Sequence, residues 1–281
     1  MMKAVAIIAN LSKPNVFEVA TKITTWLTAR KVVVYAQQEL PCGHGFVLGE
    51  PLPPVDLVMV LGGDGTFLAV AGMYGLSGIP LLGVNLGHLG FLTEVEMGDL
   101  EQALETLVQR DYQVEKRGML DARVLRQGKT VSKALVLNDV VVAKGPLARI
   151  IHLEVEVDGV SIGSYRGDGL IVATPTGSTG YSLSAGGPIV APNVDIIIVT
   201  PICPHTLNAR PIVVAKGSII TVRTKTSQSD TYITLDGQQG MELEGDDILE
   251  ITSSKHETSL VRLKGKNFFD ILAKKIMDQN H

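Results

Sequence analysis

One acid among three glycines, Leu61-Gly62-Gly63-Asp64-Gly65-Thr66, stands between an apolar run (residues 55–60) and a helix-like run (residues 67–74). Glycines at the carboxyl end of a buried strand let bare backbone N–H groups approach an anion, and Asp64 holds a carboxylate beside them. Glycine also supplies backbone angles that other residues avoid. Thr66 can cap the helix, whose amino end carries partial positive charge. On its residues alone, the turn divides evenly between a phosphate cradle and a tight strand-to-helix corner.

A second segment is Thr174-Pro175-Thr176-Gly177-Ser178-Thr179-Gly180-Tyr181-Ser182-Leu183-Ser184-Ala185-Gly186-Gly187-Pro188. It has no charged side chain and is rich in hydroxyls and glycines. A surface loop should carry Lys, Glu or Asn, so this loop reads as a ligand groove offering neutral donors and acceptors. Asn138-Asp139 interrupts the apolar run 134–143. The two side chains can hydrogen-bond vicinal hydroxyls, or they end a strand and face solvent, which the pattern alone favours. Asp168 and Asp236 sit in Gly/Asp turns and have the same bland alternative. His88 and His205 read as loop or core histidines rather than catalysts.

These segments need elements to position them. Residues 5–9 read as a buried strand, and Val16, Val19, Ala20, Ile23, Trp26 and Leu27 recur at helical spacing. Residues 31–36 are strand-like, and residues 41–54, with four prolines and three glycines, read as a loop. Residues 79–84 form another buried strand, and Leu100, Ala103, Leu104, Leu107 and Val108 mark a helix behind an Asp99 cap. Continuous apolar strands separated by helices predict a parallel sheet, with ligands at the strands' carboxyl ends. From about Arg117 the period becomes two, and Asp158-Gly159 supplies a hairpin turn. Strands are expected at 134–143, 170–173, 195–200, 212–214, 219–223, 232–235, 248–251 and 259–263. Near the end, Asn267 with Asp270 can cap a helix whose face carries Phe268, Ile271, Leu272, Lys275 and Ile276. The expected fold is therefore α/β plus β. It has an N-terminal Rossmann-like domain (1–116), a mostly antiparallel, β-sandwich-like domain (117–265), and a C-terminal helix (266–281) packing back on the first.

Composition narrows the function classes. At 281 residues, 45% hydrophobic and 19% charged, the chain is globular and has room for two domains. A net charge of −4, with Lys and Arg in no run longer than two, argues against a nucleic-acid partner. The apolar stretch 4–9 stops at Asn10, too short for a signal peptide, and no run approaches the ~18 residues a membrane span needs. Cys42 and Cys203 lack zinc spacing and make no disulfide framework, so a reduced, cytoplasmic protein is expected. No metal-ligating residues are picked out. P-loop, G-x-G-x-x-G and H-E-x-x-H patterns are missing, and no Ser stands in a G-x-S-x-G elbow between a strand and a helix.

Together these residues resemble the NAD kinase family. Gly62-Gly63-Asp64-Gly65-Thr66 is similar to its first motif, Asn138-Asp139 to its Asn-acid motif, and residues 174–188 to its long Thr/Gly/Ser motif. Asn85-Leu86-Gly87-His88-Leu89-Gly90-Phe91-Leu92, Pro204-His205-Thr206-Leu207-Asn208-Ala209-Arg210-Pro211 and Asp236-Gly237-Gln238 also resemble family segments, in the family's order. The resemblance implies transfer of a phosphoryl group from ATP or polyphosphate, with Mg²⁺, to the 2′-hydroxyl of the adenosine ribose of NAD. It implies Asp64 as general base, with Gly62, Gly63, Gly65 and Thr66 cradling phosphate. It places Asn138 and Asp139 on the nicotinamide-side ribose and amide, and Phe91 near adenine. Thr179, Gly180, Tyr181 and Ser184 would line the NAD site. Asp168 would reach in from a neighbouring subunit, and Arg166 would contact phosphate. A homodimer or homotetramer is implied. The family often has Glu at the position of Asp139 and Ala at that of Gly180. Two alternatives remain: a lipid kinase sharing the glycine-acid turn, and a sensor that binds dinucleotide without transfer.

Overall fold

A strand that is apolar at every position has to be covered on both faces, and the amino-terminal part of this chain is built from such strands. The computed structural model describes residues 2–87, 90–145, 150–206, 208–225, 231–263, 265 and 267–277. The expected positions His88, Leu89 and Leu207, and the side chain of Ile276, lie outside the described residues. The chain divides into two units, Met1–Lys116 with Thr258–His281, and Arg117–Glu257.

In the first unit, β1 (Ala4–Ala9), α1 (Val16–Thr28), β2 (Val33–Gln37), β3 (His44–Phe46), β4 (Leu57–Gly62), α2 (Asp64–Tyr74), β5 (Leu81–Asn85), β6 (Thr93–Val95) and α3 (Leu100–Gln109) follow in order. The parallel sheet runs β3-β2-β1-β4-β5, and β6 also pairs with β5. Every residue of β1 and β4 is buried. The apolar stripes of α1 (Val16, Val19, Ala20, Ile23, Leu27) and α3 (Leu100, Ala103, Leu104, Leu107) share one core with Val5, Ile7, Leu57, Met59, Leu82 and Val84. The strand β3 falls inside the stretch expected to be a loop. It is an edge strand held by backbone pairing, Tyr35 to His44 through Gln37 to Phe46, which needs no apolar period to form.

The second unit begins within β7 (Tyr112–Arg126) and continues with β8 (Lys129–Val136), β9 (Asp139–Lys144), β10 (Ile151–Val157), β11 (Val160–Gly167), β12 (Gly169–Ala173), the short helix α4 (Tyr181–Ser184), β13 (Ile196–Ile202), β14 (Ile212–Ala215), β15 (Ile220–Thr224), β16 (Thr231–Leu235), β17 (Gln239–Leu243) and β18 (Ile248–Leu263). One antiparallel sheet runs β14-β13-β12-β9-β16-β17, and a second joins β11-β10-β15 to the start of β18. Alternating residues of both sheets, among them Val140, Val142, Leu170, Val172, Leu153, Val155, Val222 and Leu249, form one core, which makes this a sandwich. The expected hairpin forms at Asp158-Gly159, both at positive φ (53° and 76°).

The run 134–143 is not one strand. It breaks after Val136 and resumes at Asp139 in the other sheet, because Asp236 and Thr174 take over the backbone bonds of residues 137–139. Conversely, the two strands expected at 248–251 and 259–263 are one, since the polar residues between them stay extended and Ser254 and Thr258 are buried. The helix α5 (Phe268–Met277) closes the chain. Its capping box forms as expected: Asn267 Oδ1 accepts the Phe269 and Asp270 N–H groups at 2.9 and 3.0 Å, and Asp270 accepts the Asn267 N–H at 3.1 Å. Ile271 is buried and Phe268 lies 6.2 Å from the ring of Phe91, so this helix packs on the first unit.

The end of β18 is tied to β6 by a buried ion triad. Arg262 reaches Glu94 and Glu115, both at 2.7 Å, and the Leu263 N–H donates to Glu94 at 2.9 Å. Glu94 is 2% exposed. Removing one partner of such a pair strands the other charge away from water. Glu94→Ala is therefore expected to lower the free energy of unfolding by roughly 3 kcal/mol. Urea titration checks this, and a loss below about 1 kcal/mol would show that Glu115 alone satisfies Arg262.

Candidate functional site

In the first unit, register places Gly62 of β4 beside Asn85 of β5, so the two expected segments leave adjacent strands at their carboxyl ends. The Leu86 N–H donates to the Gly62 carbonyl at 3.1 Å. The cap of α2 is Gly63 and not Thr66: the helix begins at Asp64, three residues earlier than the apolar run suggests. An acid in the first turn is favoured by the helix dipole, and it outweighs the weak cap signal of a threonine inside the turn. The glycines also act differently from expectation. None of Gly62, Gly63 and Gly65 has positive φ. Gly62 is needed because a Cβ there would overlap the Thr66 side chain, whereas a Cβ on Gly63 would meet nothing within 4 Å. Bareness at Gly63 thus opens the backbone to approach and relieves no strain.

Asp64 is seated by the loop that follows β5. Its Oδ2 accepts the Phe91 N–H at 2.8 Å and its Oδ1 accepts the Leu92 N–H at 3.0 Å. Each carboxylate oxygen keeps a further lone pair, and the residue is partly exposed. A Cβ on Gly90 would overlap the same carboxylate. Asn85 closes the start of this loop, its side chain exchanging two 3.0 Å bonds with the backbone of Gly87. The ring of Phe91 is backed by Phe268 and by Lys275, whose Nζ lies 4.5 Å from the ring centroid.

In the second unit, Asn138, Asp139 and Gly180 come together. A Cβ on Gly180 would stand 3.4 Å from Asn138 Nδ2 and 3.6 Å from Asp139 Oδ2. Asn138 Oδ1 is buried with no hydrogen-bond partner among the described residues. Such an atom costs free energy unless a ligand or water satisfies it. Asp139 is 5% exposed. Burial pushes its carboxyl up to about 7, and the nearby charge of Asp236 pushes in the same direction. Asp236 is raised by burial too, opposed by the N–H bonds from Leu137, Asn138 and Asp139.

The uncharged segment 174–188 is not an open loop. It forms a 3₁₀ turn at Thr176–Thr179 and the helix α4. Most of its hydroxyls serve the fold: Thr174 Oγ1 donates to the Leu137 carbonyl at 2.6 Å, Ser178 bonds the backbone of Val190, and Ser182 pairs with Thr200 at 3.0 Å. Tyr181 and Ser184 remain exposed, and Thr179 is half-buried with its hydroxyl donating to the Thr176 carbonyl at 3.3 Å. Asp168 does not join this group within one chain. It pairs with Lys144 at 2.8 Å at the opposite end of the β9–β12 ladder, about five residues or ~16 Å from Asp139. Arg166 is exposed on β11, opposite His152. Sequence reasoning passed over Lys144 and the anchoring role of Thr174. Nothing in their local pattern marks them, since both act through partners distant in sequence.

An α/β unit that seats an acid at the start of a helix, followed by an antiparallel β unit in which Asn138, Asp139 and Gly180 meet, places the chain in the α/β-plus-β class. Comparison with known proteins narrows this class. Residues 53–112 match the model of the ATP-NAD kinase N-terminal domain, and residues 137–263 match that of the ATP-NAD kinase C-terminal domain. The chain is 46% identical to the NAD kinase of Geobacter sulfurreducens over 279 residues, 98% of each chain. It is 40% identical to that of Natranaerobius thermophilus over 280 residues, again 98% of each. Among solved structures it is similar to an NAD kinase from Archaeoglobus fulgidus in complex with ATP (27% identity, TM-score 0.77, 98% of each chain). It shares the fold of a yeast NADH kinase complexed with NADH (24% identity, TM-score 0.88, 99% of this chain and 88% of that one). The chain belongs to the NAD kinase family, and it is a phosphotransferase. The lipid-kinase alternative gains no support from these matches.

Two outcomes follow from the geometry. Gly90→Ala should push the Asp64 carboxylate off its two amides and lower turnover by at least about 100-fold with the fold retained, as read by steady-state kinetics beside a thermal melt. Asp139 is raised on folding, so its contribution to stability is complete below its unfolded value of 3.8 and is lost as pH rises toward about 7. Asp139→Asn should therefore flatten the fall in unfolding free energy between pH 4 and 7, a fall of at most ~1.4 kcal/mol per pH unit, measured by urea titration of both proteins. Parallel profiles for the two proteins would contradict the assignment.

Proposed function

We propose that this protein is an NAD kinase that moves the terminal phosphoryl group of ATP to the 2′-hydroxyl of the adenosine ribose of NAD, giving NADP. The observation that carries this reading is the seat of Asp64. A carboxylate fixed by two amides at the head of a helix is oriented without being neutralised. In the reaction the ribose O2′–P bond forms, the bond from phosphorus to the β–γ bridging oxygen breaks, and ADP leaves with the electron pair. The hydroxyl proton passes to Asp64 and then to solvent. A carboxylate is a weak base for an alcohol. In a loose transition state the proton leaves late, so orientation matters more than basicity.

The amides around Gly62, Gly63, Gly65 and Thr66, at the positive end of α2, would steady the charge on the transferred group. A divalent cation such as Mg²⁺, when bound to the triphosphate, would neutralise charge there. Among the described residues no group of three or more His, Cys, Asp or Glu could hold a metal ion, so the residues fit a cation carried by the nucleotide rather than by a protein cage. Asn138, with its orphan Oδ1, and the buried Asp139 would take the ribose hydroxyls and amide of the nicotinamide half. Phe91, backed by α5, would lie against adenine, and Thr179, Gly180, Tyr181 and Ser184 would line the dinucleotide. Residues 1–116 with the C-terminal helix would thus carry the phosphate-handling half, and residues 117–265 the NAD contacts. Asp168 at its distance from Asp139 suits a contact made to a neighbouring subunit's NAD, in a homodimer or homotetramer, with Arg166 near phosphate. ATP is the donor favoured by the family, with polyphosphate as a second donor. A cytoplasmic setting suits these substrates, and among the described residues no helix is long and apolar enough to cross a membrane.

The decisive experiment incubates purified protein with NAD, Mg²⁺ and either ATP or polyphosphate, and measures NADP. Asp64→Asn should cut turnover by about 100- to 10,000-fold and leave the affinity for NAD within about threefold. A variant that keeps wild-type turnover would remove Asp64 from the mechanism, and absence of NADP with both donors would overturn the function.

A further inference from the structure

The break between β8 and β9 is held in an unusual way. All six backbone polar groups of residues 137–139 are bonded, and two distant residues provide every partner. The carboxylate of Asp236 accepts the N–H groups of Leu137, Asn138 and Asp139 at 2.8, 2.7 and 3.0 Å, and its own N–H donates to the Asp139 carbonyl at 3.0 Å. From the other side, Thr174 donates its hydroxyl to the Leu137 carbonyl at 2.6 Å and its N–H to the Asn138 carbonyl at 2.8 Å. The backbone of the turn is therefore fully satisfied, while the Asn138 Oδ1 is buried without a partner among the described residues. A turn needed only to join two strands would gain nothing by leaving a buried amide oxygen unsatisfied.

We propose that Asp236 is the positioning residue of the Asn138–Asp139 pair. It fixes three consecutive amides, and so both side chains, in the orientation that receives NAD, and this rests on the reading that the pair contacts NAD. Asp236 acts through the backbone and also through its charge. The elements packed against Asp139 present Ala173 of β12, Leu235 at the end of β16, the uncharged stretch from Thr174 to Gly180, and the carboxylate of Asp236. Among these, Asp236 is the charge that Asp139 meets. A structural anchor and a positioning residue can thus be told apart by whether NAD binding keeps its pH dependence when that charge is removed.

The test compares Asp236→Asn with wild type. The amide keeps the size of the side chain, but has one acceptor oxygen where three amides converge, and carries no charge. The KM for NAD is expected to rise at least about 10-fold, with kcat and the KM for ATP within about threefold, the loss of one charge-assisted bond set. The inflection in the pH profile of the NAD KM should move to lower pH, because Asp139 no longer faces a second carboxylate. A wild-type KM for NAD overturns the proposal. So does an equal rise in both KM values with the pH inflection unmoved, which is the behaviour of a merely structural anchor. If Asp236→Asn does not fold, Thr174→Val decides, since it loosens the same turn from its other side and should also raise the KM for NAD alone. Asp139→Ala separates the two layers of the argument. If it leaves the KM for NAD unchanged, the pair does not contact NAD and the reading beneath the proposal fails. If it raises that KM while Asp236→Asn does not, only the role of Asp236 fails.

Discussion

Backbone amides at the ends of buried strands must find acceptors, and in this chain aspartate carboxylates supply them. Leaving one such group unpaired costs about 1–3 kcal/mol. Asp56 accepts the Lys3 and Ala4 N–H groups at 2.6 and 3.1 Å where β1 begins, Asp64 accepts those of Phe91 and Leu92, and Asp236 accepts three at the start of β9. Each bond set joins segments far apart in sequence. The sheets can end where they do because these acids stand there, and the loops that leave the sheets take their shape from them.

The same device has different chemical value at each position. Asp56 is also paired with Arg110 at 2.5 Å, so its charge is neutralised and its carboxyl is held below the usual range: desolvation opposes this, but its amide bonds and Arg110 prevail. Asp236 is half-buried and spends its oxygens on three amides. Asp64 accepts one amide per oxygen, is partly exposed, and has no cationic partner among the described residues. A carboxylate that is oriented but uncompensated suits a proposed reaction in which the acid steers a hydroxyl more than it deprotonates it. The fold thereby obtains its reactive acid from a structural habit that it uses elsewhere.

Much of this was legible in the sequence because hydrophobic period is a local signal. The continuous runs of β1 and β4, the stripes of α1 and α3, the Asp158-Gly159 turn and the Asn267–Asp270 capping box all announce themselves within a few residues. Asp64, Asn138 and Gly180 could be singled out as chemically unusual for the same reason. What stayed hidden depends on partners distant along the chain. The split at residues 137–138 is dictated by Asp236, about a hundred positions on, and no local pattern marks it. The hydroxyls of Thr174, Ser178 and Ser182 looked like ligand contacts, yet they are consumed by Leu137, Val190 and Thr200. The glycine at 62 looked like a conformational device, yet it and Gly90 act as absences that make room for Thr66 and Asp64.

The two residues expected from the resemblance to differ from the family's usual ones stand close together. The resemblance implies Glu at the position of Asp139 and Ala at that of Gly180. A methyl on residue 180 would lie 3.6 Å from Asp139 Oδ2, 3.4 Å from Asn138 Nδ2 and 3.3 Å from the Gly177 carbonyl oxygen. The space is real but narrow, so residue 180 and the acid at 139 share one volume. A shorter acid and a missing methyl both enlarge it beside the Asn138 side-chain amide. The two departures therefore act as one change in the shape of the pocket, and the backbone of residues 137–139, bonded at every polar atom, keeps that shape from relaxing.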